Sequence, residues 1–148
     1  MIVSYKQDDG TVEQVTTEDL SAIEAAAIEQ AMGDTPWRRV EDMLRAQDPT
    51  AMRAVLWIFR RRAQPDLEFS AFDVPGWRRR LTARLERVEI DDVLNTLVAE
   101  AISTQEDAAI DAMLPHLRKL AASQDDVDAA LGELGKAHLI RSGRASAT

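Results

Sequence analysis

The sequence predicts a mainly α protein: a small N-terminal β-hairpin followed by a multi-helix bundle. Three observations predict it. Alanine, leucine, glutamate, aspartate and arginine dominate while aromatics reach only 5%, a mixture that favours helices over sheets. From Thr17 onward, apolar residues recur at helical spacing between residues suited to capping. Only the first fifteen residues alternate apolar and polar side chains about a turn. At 148 residues, 45% hydrophobic and 30% charged, the chain is about one domain, or two very small ones, and is expected to fold.

The hairpin comes first. "IVSYK" alternates, "QDDG" turns, and "TVEQV" alternates again. Two strands are marginal in water, so they must pack on something or pair with another chain. "TTEDLSAIEAAAIEQAMG" then reads as a helix capped by Thr17 and ended by Gly33, with Leu20, Ile23, Ala27, Ile28 and Ala31 on one stripe. "DTPWRRVEDMLRAQD" repeats the grammar: Asp34 or Thr35 caps, Pro36 suits the first helical position, and Trp37, Val40, Met43 and Leu44 form the apolar face.

The third helix starts at Asp48–Pro49 and runs through "TAMRAVLWIFRRR". Val55, Leu56, Trp57, Ile58 and Phe59 make it apolar nearly all round, which marks the central helix of a small domain. "AQPDLEFSAFDVPG" is a turn-rich break that Leu67, Phe69 and Phe72 pin to the core. Four more amphipathic segments follow, beginning at Trp77, Ile90, Thr104 and Gln124, with Asp91, Thr104 and Ser123 as caps and Pro115 breaking or kinking its helix. The organisation read from this is a hairpin plus three helices over 1–74, a helical region over 75–141, and a frayed tail over 142–148. "PWRRV" and "PGWRRRL" echo each other, but their flanks differ, so they are two similar helix starts rather than a repeat.

The net charge of −8 is unevenly laid out. Residues 1–37 set one lysine against eight acids, residues 38–87 set twelve arginines against seven acids, and residues 88–148 set five bases against eleven acids. An acidic–basic–acidic chain suits charge matching, within itself or with another protein. It suits non-specific nucleic-acid binding poorly, because phosphates repel its outer thirds. No apolar stretch approaches the ~20 residues of a membrane span, and no secretory signal is visible. The absence of cysteine excludes disulfides and thiolate metal sites, and is compatible with a reducing cytosol.

Catalytic chemistry needs convergent titratable groups, and none is legible. His116 and His138 fall in different predicted helices without partners at zinc-ligand spacing. Asp8–Asp9, Asp91–Asp92 and Asp125–Asp126 sit at a turn or at helix starts, where capping and the helix dipole account for them. No glycine-rich phosphate loop or nucleophile elbow exists. The reading is therefore no enzyme, no cofactor and no metal.

Two arginine clusters, Arg60, Arg61, Arg62 and Arg78, Arg79, Arg80, are the candidate charged interface. They could meet phosphates, but a helix end and a solvated face paired with the acidic segments explain them more simply. Trp37, Trp57 and Trp77 could be base-stacking platforms, but at helical spacing among aliphatics all three read as core. Trp37, Leu44, Val55, Trp57, Ile58 and Phe69 are read as core rather than site.

Residues 12–74 resemble the N-terminal domain of tail assembly chaperones of long-tailed bacteriophages, especially those infecting actinobacteria. The resemblance lies in the order of features: a short β-like start, "TTEDLSAIEAAAIEQAMG" ending at Gly33, "TPWRRVEDML" with Trp37 opening a helix, then "AQDPTAMRAVLWIFRRRAQPDLEF". That family binds the long, helical tape-measure protein in the host cytoplasm and keeps it soluble while tail-tube subunits assemble. Its members are absent from the mature virion. The resemblance thus implies a tape-measure partner, contact with tail-tube protein and a homo-oligomer, while the short apolar runs and the charge layout argue against a membrane and against nucleic acid. Residues 75–148 depart from it, since many relatives are short and poorly ordered there. The competing readings are a helical connector or adaptor of a phage particle, and a nucleic-acid-associated helical regulator.

Overall fold

The computed structural model describes residues 1–104 and 108–145, with side chains described for 1–103 and 110–135. The protein is mostly helical, with one small antiparallel sheet. It divides into two compact units, Met1–Arg84 and Leu85–Thr148.

The first unit opens with β1 (Ile2–Lys6) and β2 (Val12–Thr16), paired antiparallel with Ile2 opposite Thr16 and Lys6 opposite Val12. The turn between them is closed by Gln7 N–H donating to the Thr11 carbonyl at 2.7 Å and by Thr11 N–H donating to the Asp9 carboxylate at 2.8 Å. The expected hairpin is nevertheless incomplete as a description. A third strand, β3 (Leu81–Arg84), pairs antiparallel with β1, giving the order β2–β1–β3. Met1, Val3, Tyr5, Leu81 and Ala83 put one face of the sheet into the core, because period-2 alternation places them on the same side.

β3 corrects the expected helix at "WRRRLTARLERVE". Only Trp77–Arg80 is helical there, a single turn, α4. Leu81-Thr82-Ala83-Arg84 alternates buried and half-buried positions, and its backbone groups pair with β1 instead of continuing the helix. This carries the first unit on to Arg84, past the expected boundary at 74.

Gln47 completes the sheet edge. It adopts a left-handed φ of 60° just after α2. Its side-chain amide donates to the Ala83 carbonyl at 2.8 Å, and its Oε1 accepts from Ala83 N–H at 3.1 Å. One side chain thus takes the place of a fourth strand and satisfies an edge that would otherwise stand open.

Three helices pack behind the sheet. α1 (Ala22–Ala31) is capped by Ser21 through a full capping box with Glu24, not by Thr17, which lies in a preceding 3-10 turn, Thr17–Asp19. The extended backbone of Leu20 and Ser21 separates the two. α1 ends before Gly33, whose φ of 71° reverses the chain. α2 (Trp37–Arg45) has no side-chain cap from Asp34 or Thr35. Instead Glu29 of α1 accepts from Trp37 N–H, and the Thr35 hydroxyl donates to the Met32 carbonyl at 2.6 Å.

α3 (Pro49–Ala63) is capped by Asp48, which accepts from Thr50 and Ala51 N–H groups. Ala54, Val55, Leu56, Trp57 and Ile58 are all buried in succession, since α3 packs against α1, α2 and all three strands. Of the residues read as core, Leu44, Val55, Trp57 and Ile58 are buried. Trp37 and Phe69 are half-buried at the margin, so neither belongs to the fully buried set.

The second unit contains α5 (Arg87–Thr104), α6 (Ala108–Leu120) and α7 (Gln124–Ala145). Ile90, Leu94, Leu117, Val127 and Ala130 form its buried seam. Leu85 ties the entry to the far end of α6: its N–H donates to the Leu120 carbonyl at 2.8 Å, and its carbonyl accepts from Ala122 N–H at 2.7 Å. Three sequence expectations change here. Asp91 is not a cap but an interior residue of α5, paired with Arg87 one turn earlier, and Glu89 accepts from Glu86 N–H at the helix start. Thr104 closes α5 rather than opening α6. α6 runs on through Pro115, with buried Leu117 beyond it. α7 begins directly after Ser123 and remains helical to Ala145, where a tail from 142 was expected; 146–148 lie outside the described residues. Among the described residues, no helix is long and apolar enough to cross a membrane.

Candidate functional site

The last turn of α3 brings Arg60, Arg61 and Arg62 beside segments distant in sequence. Arg60 grips Glu13 of β2 with two nitrogens, at 3.0 and 2.6 Å. Arg62 grips Glu24 of α1 in the same way, at 2.7 and 2.9 Å, and also donates to the Asp19 carbonyl at 2.8 Å. Such forked pairing suits the planar guanidinium. Together with the Ser21 N–H, Arg62 lowers Glu24 from an ordinary 4.5 to about 2. Arg61 lies over the Trp57 ring, 5.0 Å from its centre, and donates to the Pro65 carbonyl at 3.3 Å.

The second cluster divides. Arg80 pairs with Asp8 of the β1–β2 turn. Arg78 lies 5.4 Å from the centre of the Trp77 ring, and the side chains of Arg78 and Arg79 have no carboxylate partner among the described residues. So the six candidate arginines are not one surface. Arg60, Arg62 and Arg80 knit the acidic start of the chain onto the first unit, Arg61 packs on Trp57, and Arg78 and Arg79 stay free.

What the structure adds is a shallow groove of mixed lining, with Gln30 and Ser70 among its polar residues. It runs between α1 and the segment after α3, with a volume of about 820 Å³ in its main part, and continues into a smaller hollow of about 240 Å³. Ala27, Arg61 and Pro65 border both parts. Ala31, Trp57, Leu67 and Phe69 line the larger part, and Ile23 and Ile58 the smaller. Ile23 is 83% exposed, although the helical stripe assigned it to the core. It sits in the first turn of α1, where no other element covers it. Asp66 and Glu68 stand on the rim without an ion pair among the described residues.

Arg53 holds the groove's far wall and carried no signal in the sequence. It donates to the Phe72 carbonyl at 2.7 Å and the Phe69 carbonyl at 3.3 Å, with its guanidinium 4.0 Å from the centre of the Phe69 ring. The Trp57 indole N–H donates to the Leu67 carbonyl at 2.9 Å, and its ring meets Phe69 at 5.3 Å. A loop with little regular structure is thereby fixed by Arg53 and the Trp57 indole, with Arg61 holding the Pro65 carbonyl at its start. Nothing in the sequence marks Arg53, because its targets lie sixteen and nineteen residues away and have no repeating pattern.

The remaining candidates do not converge. His116 is exposed on α6, and the side chain of His138 lies outside the described residues. Among the described residues, no group of three or more histidines, aspartates or glutamates could hold a metal ion. Trp37, half-buried, donates its indole N–H to Glu41 at 3.0 Å, Trp57 is buried, and Trp77, expected in the core, is instead 38% exposed because the single turn of α4 leaves its ring uncovered. Comparison of the chain with protein families, curated proteins and solved structures finds no match.

Proposed function

We propose that this chain is a tail assembly chaperone of the long-tailed phage type, which receives helical segments of a tape-measure protein in the groove between α1 and residues 65–69. The observation that carries the reading is the groove itself: a trough lined in large part by Ala27, Ala31, Trp57, Leu67 and Phe69 beside an open Ile23, with Arg60 and Arg62 nearby already paired and Asp66 and Glu68 on its rim without an ion pair among the described residues. A trough of this kind takes the apolar face of an amphipathic helix. Asp66 and Glu68 on the rim suit a client helix with lysines or arginines beside its apolar stripe. The ordered resemblance over residues 12–74 supplies the client. On this reading the protein acts in the host cytoplasm, in several copies along one client, and leaves before the virion matures.

The test is co-expression with the tape-measure protein. The client is expected in the soluble fraction with the parent chain and in the pellet with Ile23→Asp combined with Ala27→Asp. Ile23 is exposed, and Ala27 borders the groove, so these changes are aimed at the client rather than the core. The soluble complex is expected to survive raised salt, because apolar contact dominates. A client that stays insoluble with the parent chain, or equally soluble with the variant, overturns the reading.

A further inference from the structure

We infer that Trp77, Arg78 and Arg79 form a docking patch for a second copy of this chain, and that they receive the exposed start of its α5 at Val88 and Asp92. This contact is independent of the groove. The patch is built locally. Gly76, with φ of 69°, turns the chain into the single helical turn α4. The Arg80–Asp8 pair ties that turn to the β1–β2 loop, and the Tyr5 hydroxyl donates to the Pro75 carbonyl at 3.0 Å. The turn is thus anchored at both ends while its two middle arginines point to no carboxylate of their own. Arg78 is held near the ring of Trp77, which is 38% exposed.

An open tryptophan followed by two arginines without carboxylate partners among the described residues combines residue types that dominate binding hot spots. Tryptophan supplies apolar area, and the guanidinium gives planar, directed recognition of carboxylates. The partner must therefore offer an apolar side chain beside an unpaired acid. The chain carries that combination itself. Residues 85–148 set six bases against twelve acids. On α5, Val88 is 58% exposed, and Asp92 follows one turn later, exposed and without an ion pair among the described residues. Residues four apart share a helix face. Arg87, next to Val88, does not oppose the contact, since Asp91 and Glu133 already pair with it. Nucleic acid fits less well, because the −8 chain repels a phosphate polymer around a two-arginine patch.

Patch and α5 face are different surfaces, so the contact is head-to-tail and joins copies in series or in a ring. Sedimentation velocity of the full chain over a wide concentration range at low salt tests it. The average mass is expected to rise with concentration and to fall back toward one copy near 1 M salt, where the screening length shrinks to about 3 Å. The double variant Arg78→Glu, Arg79→Glu and the single variant Asp92→Lys are each expected to weaken association at least about tenfold, alone. Mixed in equal amounts, they are expected to associate again, because each supplies the sign the other needs. This rescue separates a lost contact from a lost fold. One copy at every concentration overturns the proposal, and so does association that neither variant changes or that mixing does not restore. Retention of a DNA oligonucleotide that is abolished by the arginine variant, with no self-association, assigns the patch to phosphates and equally overturns it.

Discussion

The two units solve the same problem, how to order helices in a small acidic protein, by different means. In the first, three charge pairs span long sequence separations, Arg60 to Glu13, Arg62 to Glu24 and Arg80 to Asp8, beside the local pair of Arg45 with Asp42. In the second, Arg87 reaches Asp91 one turn away and Arg118 reaches Asp128 in the next helix, with Arg87 to Glu133 as the longer link. The first unit packs three strands and two helices against one apolar helix, leaving Phe59 half-buried and Arg60 and Arg62 at its end exposed. The second is a seam shared among three amphipathic helices. The lesson is that three arginines of the basic middle of the chain, Arg60, Arg62 and Arg80, are structural counterparts to its acidic start. A basic block in a sequence is a binding surface only where the fold leaves it unpaired.

The comparison can be broken most directly at the two cores. Trp57→Ala is expected to cost about 3–5 kcal/mol, as large aromatic truncations do, and it also removes the indole bond to Leu67. Chemical denaturation, with hydrogen exchange over residues 1–84, reads the loss; a parent-like midpoint contradicts the central role of α3. Leu94→Ala in the second unit is expected to cost about 2–5 kcal/mol. A loss well below that range, read by exchange over α5 and α7, means that the seam can collapse around the missing side chain.

Arg53→Met keeps most of the aliphatic stem but removes two bonds to loop carbonyls. Hydrogen bonds from charged groups are worth about 1.5–3 kcal/mol, and a loss in that range is expected. Proteolysis between residues 64 and 76 should accelerate along with it. Unchanged cleavage shows that the loop does not depend on Arg53.

Acid gives a subtler test. Glu24 is held at about 2 in the fold, against an ordinary 4.5, chiefly by Arg62. A carboxylate with a depressed folded value stabilises the fold above its ordinary value and loses that contribution as pH falls through the folded one. Glu24→Gln keeps an acceptor for the capping box but loses the charge pair. The stability gap between parent and variant should be full above pH 4.5 and close as pH falls toward 2. A gap independent of pH assigns the effect to capping or packing.

The smallest effect is expected at the free arginines. Arg78→Ala and Arg79→Ala should leave unfolding midpoints within about 0.5 kcal/mol of the parent, as exposed substitutions without partners do. A larger loss in dilute solution means that these side chains support the fold and are not free.

Much of the architecture was legible because its causes are local. Helical periodicity marked α1, α2 and α3, Asp48–Pro49 announced the start of α3, and five consecutive large apolar residues identified it as central. Alternation marked β1 and β2. The absence of any converging catalytic set was also a statement about residue types, and it stays an expectation for activity assays to meet. Tertiary structure decided what depends on distant neighbours. "LTAR" is compatible with either a helix or a strand over four residues, and β1 chose the strand by offering it backbone partners. Ile23 lies on the right stripe for burial, yet no element reaches it, so periodicity assigned a face but could not say what covers it. The groove exists because Arg53 and Trp57 hold the 64–76 segment by its carbonyls, and backbone carbonyls leave no trace in a sequence. Likewise six arginines look alike in one dimension; three acids brought close in space separate Arg60, Arg62 and Arg80 from the two that remain open, because pairing depends on distance and not on order along the chain.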